Sequence, residues 1–392
     1  MPHYNYLIIG GGMTADAAVQ GIREVDSNGT IGLISAERHP PYSRPPLSKG
    51  LWKGKPLEKI YRKASQDDVD LHLGSRIQAI DPSAHQAIME TGETLRYEKL
   101  LLATGGSPRR LPFGGDDVIY YRNLDDFFHL KQLVEQGGRF GVIGGGFIGS
   151  EIAAILAEKG QPVTMLFPED GISARVFPPD LARFVTDYFR ERRVKVLAGE
   201  MVAGIENSGQ DIAIRTKSGV EIRVDHIIAG LGIKPEVALA EAAGIETEDG
   251  IVVDEHLRTS QPDVYAAGDV AYFHNLLLDK WMRVEHEDNA LNMGRTAGRN
   301  MAGEPARYDH LPMFYSDMFD LGYEAVGELN PDLEIFSDWQ EQFRKGVVYY
   351  LKDGRVRGVL LWNVWDQVEA ARSLIAAPDP IEPEHLRGRI TG

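Results

Sequence analysis

The chain contains no cysteine in 392 residues. Disulfide staples, thiolate metal sites and any relay of electrons through a redox-active thiol pair are therefore excluded, and redox chemistry has to run through bound cofactors. It also lacks a run of about 18 apolar residues, the length a membrane-spanning helix requires. Basic residues are in deficit, with 42 Lys and Arg against 58 Asp and Glu and a formal charge of −16. Such a balance repels phosphate backbones and anionic lipid, so neither nucleic acid nor a membrane surface is an expected partner. The first strand reads from Tyr4, leaving no room for a targeting segment ahead of it, and a cytoplasmic location is expected.

What is present is glycine in a particular pattern. Gly10-Gly11-Gly12-Met13-Thr14-Ala15 and Gly144-Gly145-Gly146-Phe147-Ile148-Gly149 are turns of one type. Each follows an apolar run that reads as a strand (Tyr6–Ile9, Phe140–Ile143), and each opens a stretch of helical periodicity (Ala17–Val25, Glu151–Lys159). Gly10 and Gly144 make the tight turns, Gly12 and Gly146 let backbone approach a pyrophosphate, and Ala15 and Gly149 let helix pack on strand. The helix N-termini then offer free N–H groups to phosphate. An acid is required about 20 residues on, to hold ribose hydroxyls. Glu37 closes the run Thr30–Ser35 and Glu169 closes Val163–Phe167, so both units are complete and two dinucleotides are expected.

A chain of this length with 43% hydrophobic residues calls for two or three domains. Residues 1–115 carry the first nucleotide unit, a Pro-rich loop at 40–46, a β segment at 71–88 and the strand Leu100–Ala103 running into Thr104-Gly105-Gly106. Residues 116–235 repeat the plan, ending in Asp225–Ala229 and Gly230-Leu231-Gly232. Residues 236–312 include an apolar run ending in Gly268-Asp269, which places a carboxylate at the mouth of a sheet. Beyond 312, Phe314–Gly327, Gly346–Leu351 and Arg355–Leu361 read as strands, with a hairpin turn at Lys352-Asp353-Gly354 and a helix near Gln367–Ile375. The tail from Ala377, with three prolines and no periodicity, is expected to be loosely held.

This order of pieces resembles the two-dinucleotide flavoprotein reductases, and within them the apoptosis-inducing factor-like flavoproteins. The likeness rests on Pro41-Tyr42-Ser43-Arg44-Pro45-Pro46-Leu47-Ser48-Lys49, the second glycine turn through Ser150-Glu151, Leu166-Phe167-Pro168-Glu169, Arg283-Val284-Glu285-His286, Met313-Phe314-Tyr315-Ser316-Asp317 and Leu361-Trp362-Asn363. It implies an α/β fold with two Rossmann-like domains, arranged as in glutathione reductase, plus a C-terminal α+β domain. FAD would sit on residues 1–115 and 236–312, NAD on 116–235, and the third domain would span 313–392. By the same likeness Gly12, Ala15, Glu37, Arg44, Lys49, Thr104, Gly105, Asp269 and His286 would contact FAD. Gly146, Phe147, Ile148, Glu169, Gly232, Glu285, Glu324 and Asn363 would line the NAD site. Tyr315 stands where the family has a tryptophan at the flavin face, and Ala36 where relatives often have an acid.

Reduction by hydride makes a flavin anionic, so a fixed cation beside it stabilises that state. Lys49 is the candidate, paired with Glu151. The alternatives are a loop cap for Lys49 and a helix-start acid for Glu151. Phe147 reads either as a gate over the nicotinamide pocket or as a core aromatic. His286 and Glu285 read as hydrogen-bond partners of flavin and nicotinamide, or as helix caps. A zinc-protease reading of Glu285-His286-Glu287 fails because position 290 is Ala290, and no metal is expected. A carboxylate at Glu169 repels a 2′-phosphate, so NADH is preferred over NADPH, a preference that Arg175 would soften.

The expected activity is FAD-dependent oxidation of NADH, with electrons passed to a small molecule or a redox protein. Two alternatives remain open. One is an NADH-sensing flavoprotein whose reduced complex controls homodimer formation or partner binding. The other is a ferredoxin or rubredoxin reductase, which a net acidic chain does not favour for an acidic partner.

Overall fold

The apolar runs ahead of the glycine turns dictate parallel strands buried on both faces, and the computed structural model shows two sheets built around such strands. It describes every residue except Asp67 and Gly392, with Ser65 and Gln66 described through their backbone only. The chain forms two compact units. The first is Met1–Pro45, Lys55–Ser107 and Lys234–Pro312; the second is Pro46–Gly54, Pro108–Ile233 and Met313–Gly392. Pro46–Gly54, with Lys49 on it, thus groups with the second unit although it lies within the span that reads as the first nucleotide segment.

In the first unit, parallel strands run in the order Val69–Leu73, Ile31–Ser35, His3–Ile9 and Thr94–Leu102. Thr94–Leu102 is long enough to serve two partners. Its end pairs in parallel with Val264–Ala266 and its start pairs antiparallel with Gln86–Met89. Met13–Val25 buries its Ala15, Ala18, Val19 and Ile22 face and packs on Glu287–Met301, where a Cβ at Gly298 would strike the Ala18 carbonyl.

In the second unit, five parallel strands run Val194–Ala198, Val163–Phe167, Phe140–Ile143, His226–Ala229 and Val118–Tyr120. A three-stranded antiparallel sheet, Val202–Asn207, Ile212–Thr216 and Glu221–Val224, adjoins it. Residues after 312 form a five-stranded antiparallel sheet in the order Met313–Met318, Leu321–Gly327, Arg355–Trp362, Lys345–Lys352 and Glu334–Glu341. Phe319 and Asp320 therefore break the run that reads as one strand, Phe319 by adopting a φ of 59°. Trp362, fully buried, stacks on Tyr323 and meets Phe177 edge-on.

The tail departs from expectation. Leu386 and Ile390 are buried, Ile381 N–H donates to the Gly354 carbonyl, and Gly388 N–H donates to Asp338 Oδ2 at 2.7 Å. Two apolar anchors that follow three prolines carry no periodicity, so they are invisible to pattern reading. No helix among the described residues is long and apolar enough to cross a membrane.

Candidate functional site

Both glycine turns have the geometry a diphosphate needs. Gly10 and Gly144 take φ values of 127° and 114°, where a side chain would be strained and its Cβ would strike the Ala103 or Gly230 carbonyl. An added Cβ at Gly12 or Gly146 instead meets nothing within 4 Å. Those two glycines cap the helices Met13–Val25 and Phe147–Glu158 without any side-chain hydrogen bond to the N-terminus. The first N–H groups of each helix are left for a ligand, with the positive end of the helix dipole behind them. Ala15 is fully buried, and a Cβ at Gly149 would hit the Gly144 carbonyl, which is the tight helix–turn contact expected there. The residues present fit two dinucleotide phosphates.

The two acids sit at the ends of the second strands. Glu37 takes a hydrogen bond from Tyr42 Oη at 2.5 Å and an ion pair from Arg44. Glu169 pairs with Arg175 at 2.5 Å, the arginine side chain being 82% exposed and the glutamate 23%. In the first unit, Thr104 Oγ1 donates to the Glu236 carbonyl at 2.8 Å, and Gly105 accepts from Glu236 N–H. His286 is the half-buried N-cap of Glu287–Met301. Burial pushes its imidazole down to about 4, against the charges of Asp269 and Asp288, which pull it up. The ring is accordingly neutral near pH 7, with one N–H to donate and one nitrogen to accept. Arg283 donates to the Asp269 carbonyl at 3.1 Å and pairs with Glu285 at 2.7 Å. It ties together two residues on the expected site.

In the second unit, Glu151 lies four residues into the Phe147–Glu158 helix and is nearly inaccessible. Its Oε1 takes an ion pair from Lys49 and a hydrogen bond from Ser316 Oγ at 2.5 Å, and its Oε2 accepts from Ser48 Oγ at 2.5 Å. Lys49 Nζ also lies 5.4 Å from the centroid of the Tyr315 ring, a cation–π arrangement. Phe147 packs on Phe314 with ring centroids 5.3 Å apart, and Ile148 beside it is exposed. Glu324 sits opposite Tyr315 in the strand pair. Its Oε2 is buried with no partner among the described residues, and burial, reinforced by the charge of Asp366, pushes the carboxyl up.

Gly232 takes a φ of 78°, and its carbonyl accepts from Arg109 N–H. Asn363 spends both ends of its amide on backbone, accepting from Gly322 N–H and donating to the Arg344 carbonyl, each at 2.8 Å. That use makes it a staple between strands. Ser48, Ser316, Tyr42 and Arg283 are the residues that motif reading passes over. All four lie inside or beside the strings that carry the resemblance, and the partner of the two serines, Glu151, is more than a hundred residues from each. Among the described residues no group of three or more His, Asp or Glu is placed to hold a metal ion.

Comparison with known proteins agrees with this geometry. The profile of the pyridine nucleotide-disulphide oxidoreductase family matches residues 4–294, and that of the C-terminal part of the mitochondrion-associated apoptosis-inducing factor matches residues 331–377. The chain is 35% identical to the ferredoxin reductase subunit of 5,5'-dehydrodivanillate O-demethylase from Sphingobium sp., over 98% of this chain and 96% of that one. It is 32% identical to mitochondrial apoptosis-inducing factor 1 from Dictyostelium discoideum, over 97% of this chain and 79% of the relative. Among solved structures, the covalent putidaredoxin reductase–putidaredoxin complex superposes with a TM-score of 0.92 at 32% identity, covering 98% of this chain and 96% of the other. With no cysteine, the dithiol chemistry in the family's name has no counterpart here, and the two dinucleotide sites remain. The chain belongs to the pyridine nucleotide-disulphide oxidoreductase family, as an FAD- and NAD(H)-dependent oxidoreductase of the branch that holds apoptosis-inducing factor and the ferredoxin reductases.

Proposed function

We propose that this protein oxidises NADH and delivers the electrons to a small iron–sulfur redox protein. The observation that carries the reading is end-to-end correspondence, in both directions, with reductases named for such partners. When bound, FAD takes a hydride from NADH and passes its electrons on singly. The chain's own residues bind, orient and set charge. Gly10, Gly12 and Ala15 shape the FAD diphosphate turn, Glu37 and Arg44 hold its adenosine end, and Thr104, Gly105 and Asp269 lie along it. His286, neutral, donates a hydrogen bond to the flavin ring, and Tyr315 supplies an aromatic face. Gly144, Gly146 and Ile148 receive the NADH diphosphate, Glu169 its ribose, and Gly232, Glu285 and Glu324 the rest of the nucleotide. Phe147, resting on Phe314, keeps water out until the nicotinamide displaces it. Lys49, fixed by Glu151, holds positive charge where reduction makes negative charge accumulate.

Net acidity describes the whole chain, whereas docking depends on the local face, so a charge of −16 does not set the partner's sign. The profile match at 331–377 supports a second reading, a slow NADH sensor that dimerises on reduction. The test is anaerobic mixing of oxidised protein with one equivalent of NADH, followed by an iron–sulfur protein or a quinone. Bleaching within seconds and faster reoxidation by the iron–sulfur protein support the reductase. A long-wavelength band that persists for minutes, with a change in molecular mass, supports the sensor.

A further inference from the structure

Two buried hydroxyls converge on one carboxylate. Ser48 and Ser316 are 5% and 1% exposed, and they reach Glu151 over sequence separations of 103 and 165 residues. Replacing either by alanine would take a donor from the buried Glu151 carboxylate, so the presence of each hydroxyl is explained by the oxygen it bonds. Both are chain neighbours of residues already placed in the proposed chemistry, Ser48 of Lys49 and Ser316 of Tyr315. The Glu151 carboxylate is thereby held from the loop that carries the cation and from the strand that carries the ring beneath it. Its two oxygens have separate duties. Oε2 is committed to Ser48, while Oε1 takes Ser316 and Lys49 together.

From this geometry we infer that Ser48 and Ser316 are positioning residues for hydride transfer, acting through Glu151 on Lys49. The inference rests on the proposed role of the Lys49–Glu151 pair. A carboxylate gripped at both oxygens cannot rotate about its last bond, so Lys49 Nζ is fixed between Glu151 and the Tyr315 ring. Remove one hydroxyl and the carboxylate swings. Its charge is then satisfied by fewer donors, and as it moves it carries the ion-paired ammonium with it, away from the place where negative charge develops. Small misplacements of a charge at a reacting centre cost rate and leave binding nearly untouched.

The test compares Ser48→Ala, Ser316→Val and Ser316→Thr in the FAD-loaded protein, with Glu151→Gln as reference. Threonine and valine have the same shape, so their difference isolates the hydroxyl. The readouts are the rate of flavin reduction at saturating NADH, the NADH half-saturation and the melting temperature. Ser48→Ala and Ser316→Val are expected to slow reduction about tenfold each, with half-saturation within about twofold, in keeping with loss of one hydrogen bond to a charged group. Ser316→Thr recovers most of the rate, and Glu151→Gln is slowest. Wild-type rates in both hydroxyl-less variants with a slow Glu151→Gln would overturn the inference and leave the role of Glu151 standing. Equal slowing in Ser316→Thr and Ser316→Val, or loss of fold in both, would reduce Ser316 to a packing residue and also overturn it. A wild-type rate in Glu151→Gln would instead remove the underlying reading of the pair.

Discussion

Replacing Glu169 by alanine tests how the second nucleotide site chooses its ligand. Glu169 closes the strand Val163–Phe167 and is held by Arg175 at 2.5 Å, but the arginine is 82% exposed. An ion pair that open contributes about 0–1 kcal/mol, so the carboxylate can be handed to a ribose at little cost. Two hydrogen bonds from ribose hydroxyls to a charged acceptor contribute about 3 kcal/mol at the low end of their range. Their loss in Glu169→Ala lowers kcat/KM for NADH by about a hundredfold, at 1.36 kcal/mol per decade. The same change removes repulsion of a 2′-phosphate, which at about 5 Å and an effective dielectric of about 20 is roughly 3 kcal/mol before screening. It also frees Arg175 to meet that phosphate. The NADH-to-NADPH ratio of kcat/KM therefore falls by at least about a hundredfold, with the melting temperature nearly unchanged because the ion pair lost is with an 82% exposed arginine. Steady-state rates with both nucleotides and one fixed acceptor measure it. An unchanged ratio refutes the assignment of Glu169 to the ribose.

The glycines separate ligand space from packing space. Gly146→Ala, whose φ of −86° suits alanine and whose Cβ meets nothing, keeps the melting temperature and raises NADH half-saturation about tenfold by crowding one phosphate contact. Gly149→Ala drives its Cβ at the Gly144 carbonyl and costs about 1–3 kcal/mol in urea unfolding. His286 gives the stability curve an acid limb. The unfolded chain binds its proton from about pH 6.5 and the folded protein only near 4, so stability is full above the first value and falls as pH drops toward the second. Urea unfolding at pH 7 and pH 5 should show about 2 kcal/mol less of this loss in His286→Gln than in the parent, and an imidazole found by NMR to titrate near 6.5 in the folded state contradicts it. In the tail, Leu386→Ala lowers stability by about 2–4 kcal/mol; a change near zero would show that the tail is held loosely after all.

The local parts of this design are legible in sequence, and the non-local parts are not. Gly10, Gly12, Gly144 and Gly146 betray themselves because a turn's backbone demands are met within a few residues. Glu37 and Glu169 follow from the length of a strand–helix–strand unit. The helix starts read late, at Ala17 and Glu151, because their true caps are glycines with no capping side chain to mark them. Ser48 and Ser316 stay hidden since serine carries no pattern of its own and the partner of each is more than a hundred residues away. Asn363 takes an αL conformation, at a φ of 49°, which asparagine tolerates, but its bonds to Gly322 and Arg344 across the sheet are announced by no local rule. Glu324 was reachable only through family likeness; its buried, unpartnered oxygen is a property of the folded sheet.

The most direct test of the whole account is a spectrum. Protein purified with ample riboflavin in the medium, or supplied with FAD, should be yellow, and anaerobic addition of one equivalent of NADH should bleach the flavin band completely. A colourless protein that takes up no FAD, or one whose bound flavin is left oxidised by NADH, contradicts it.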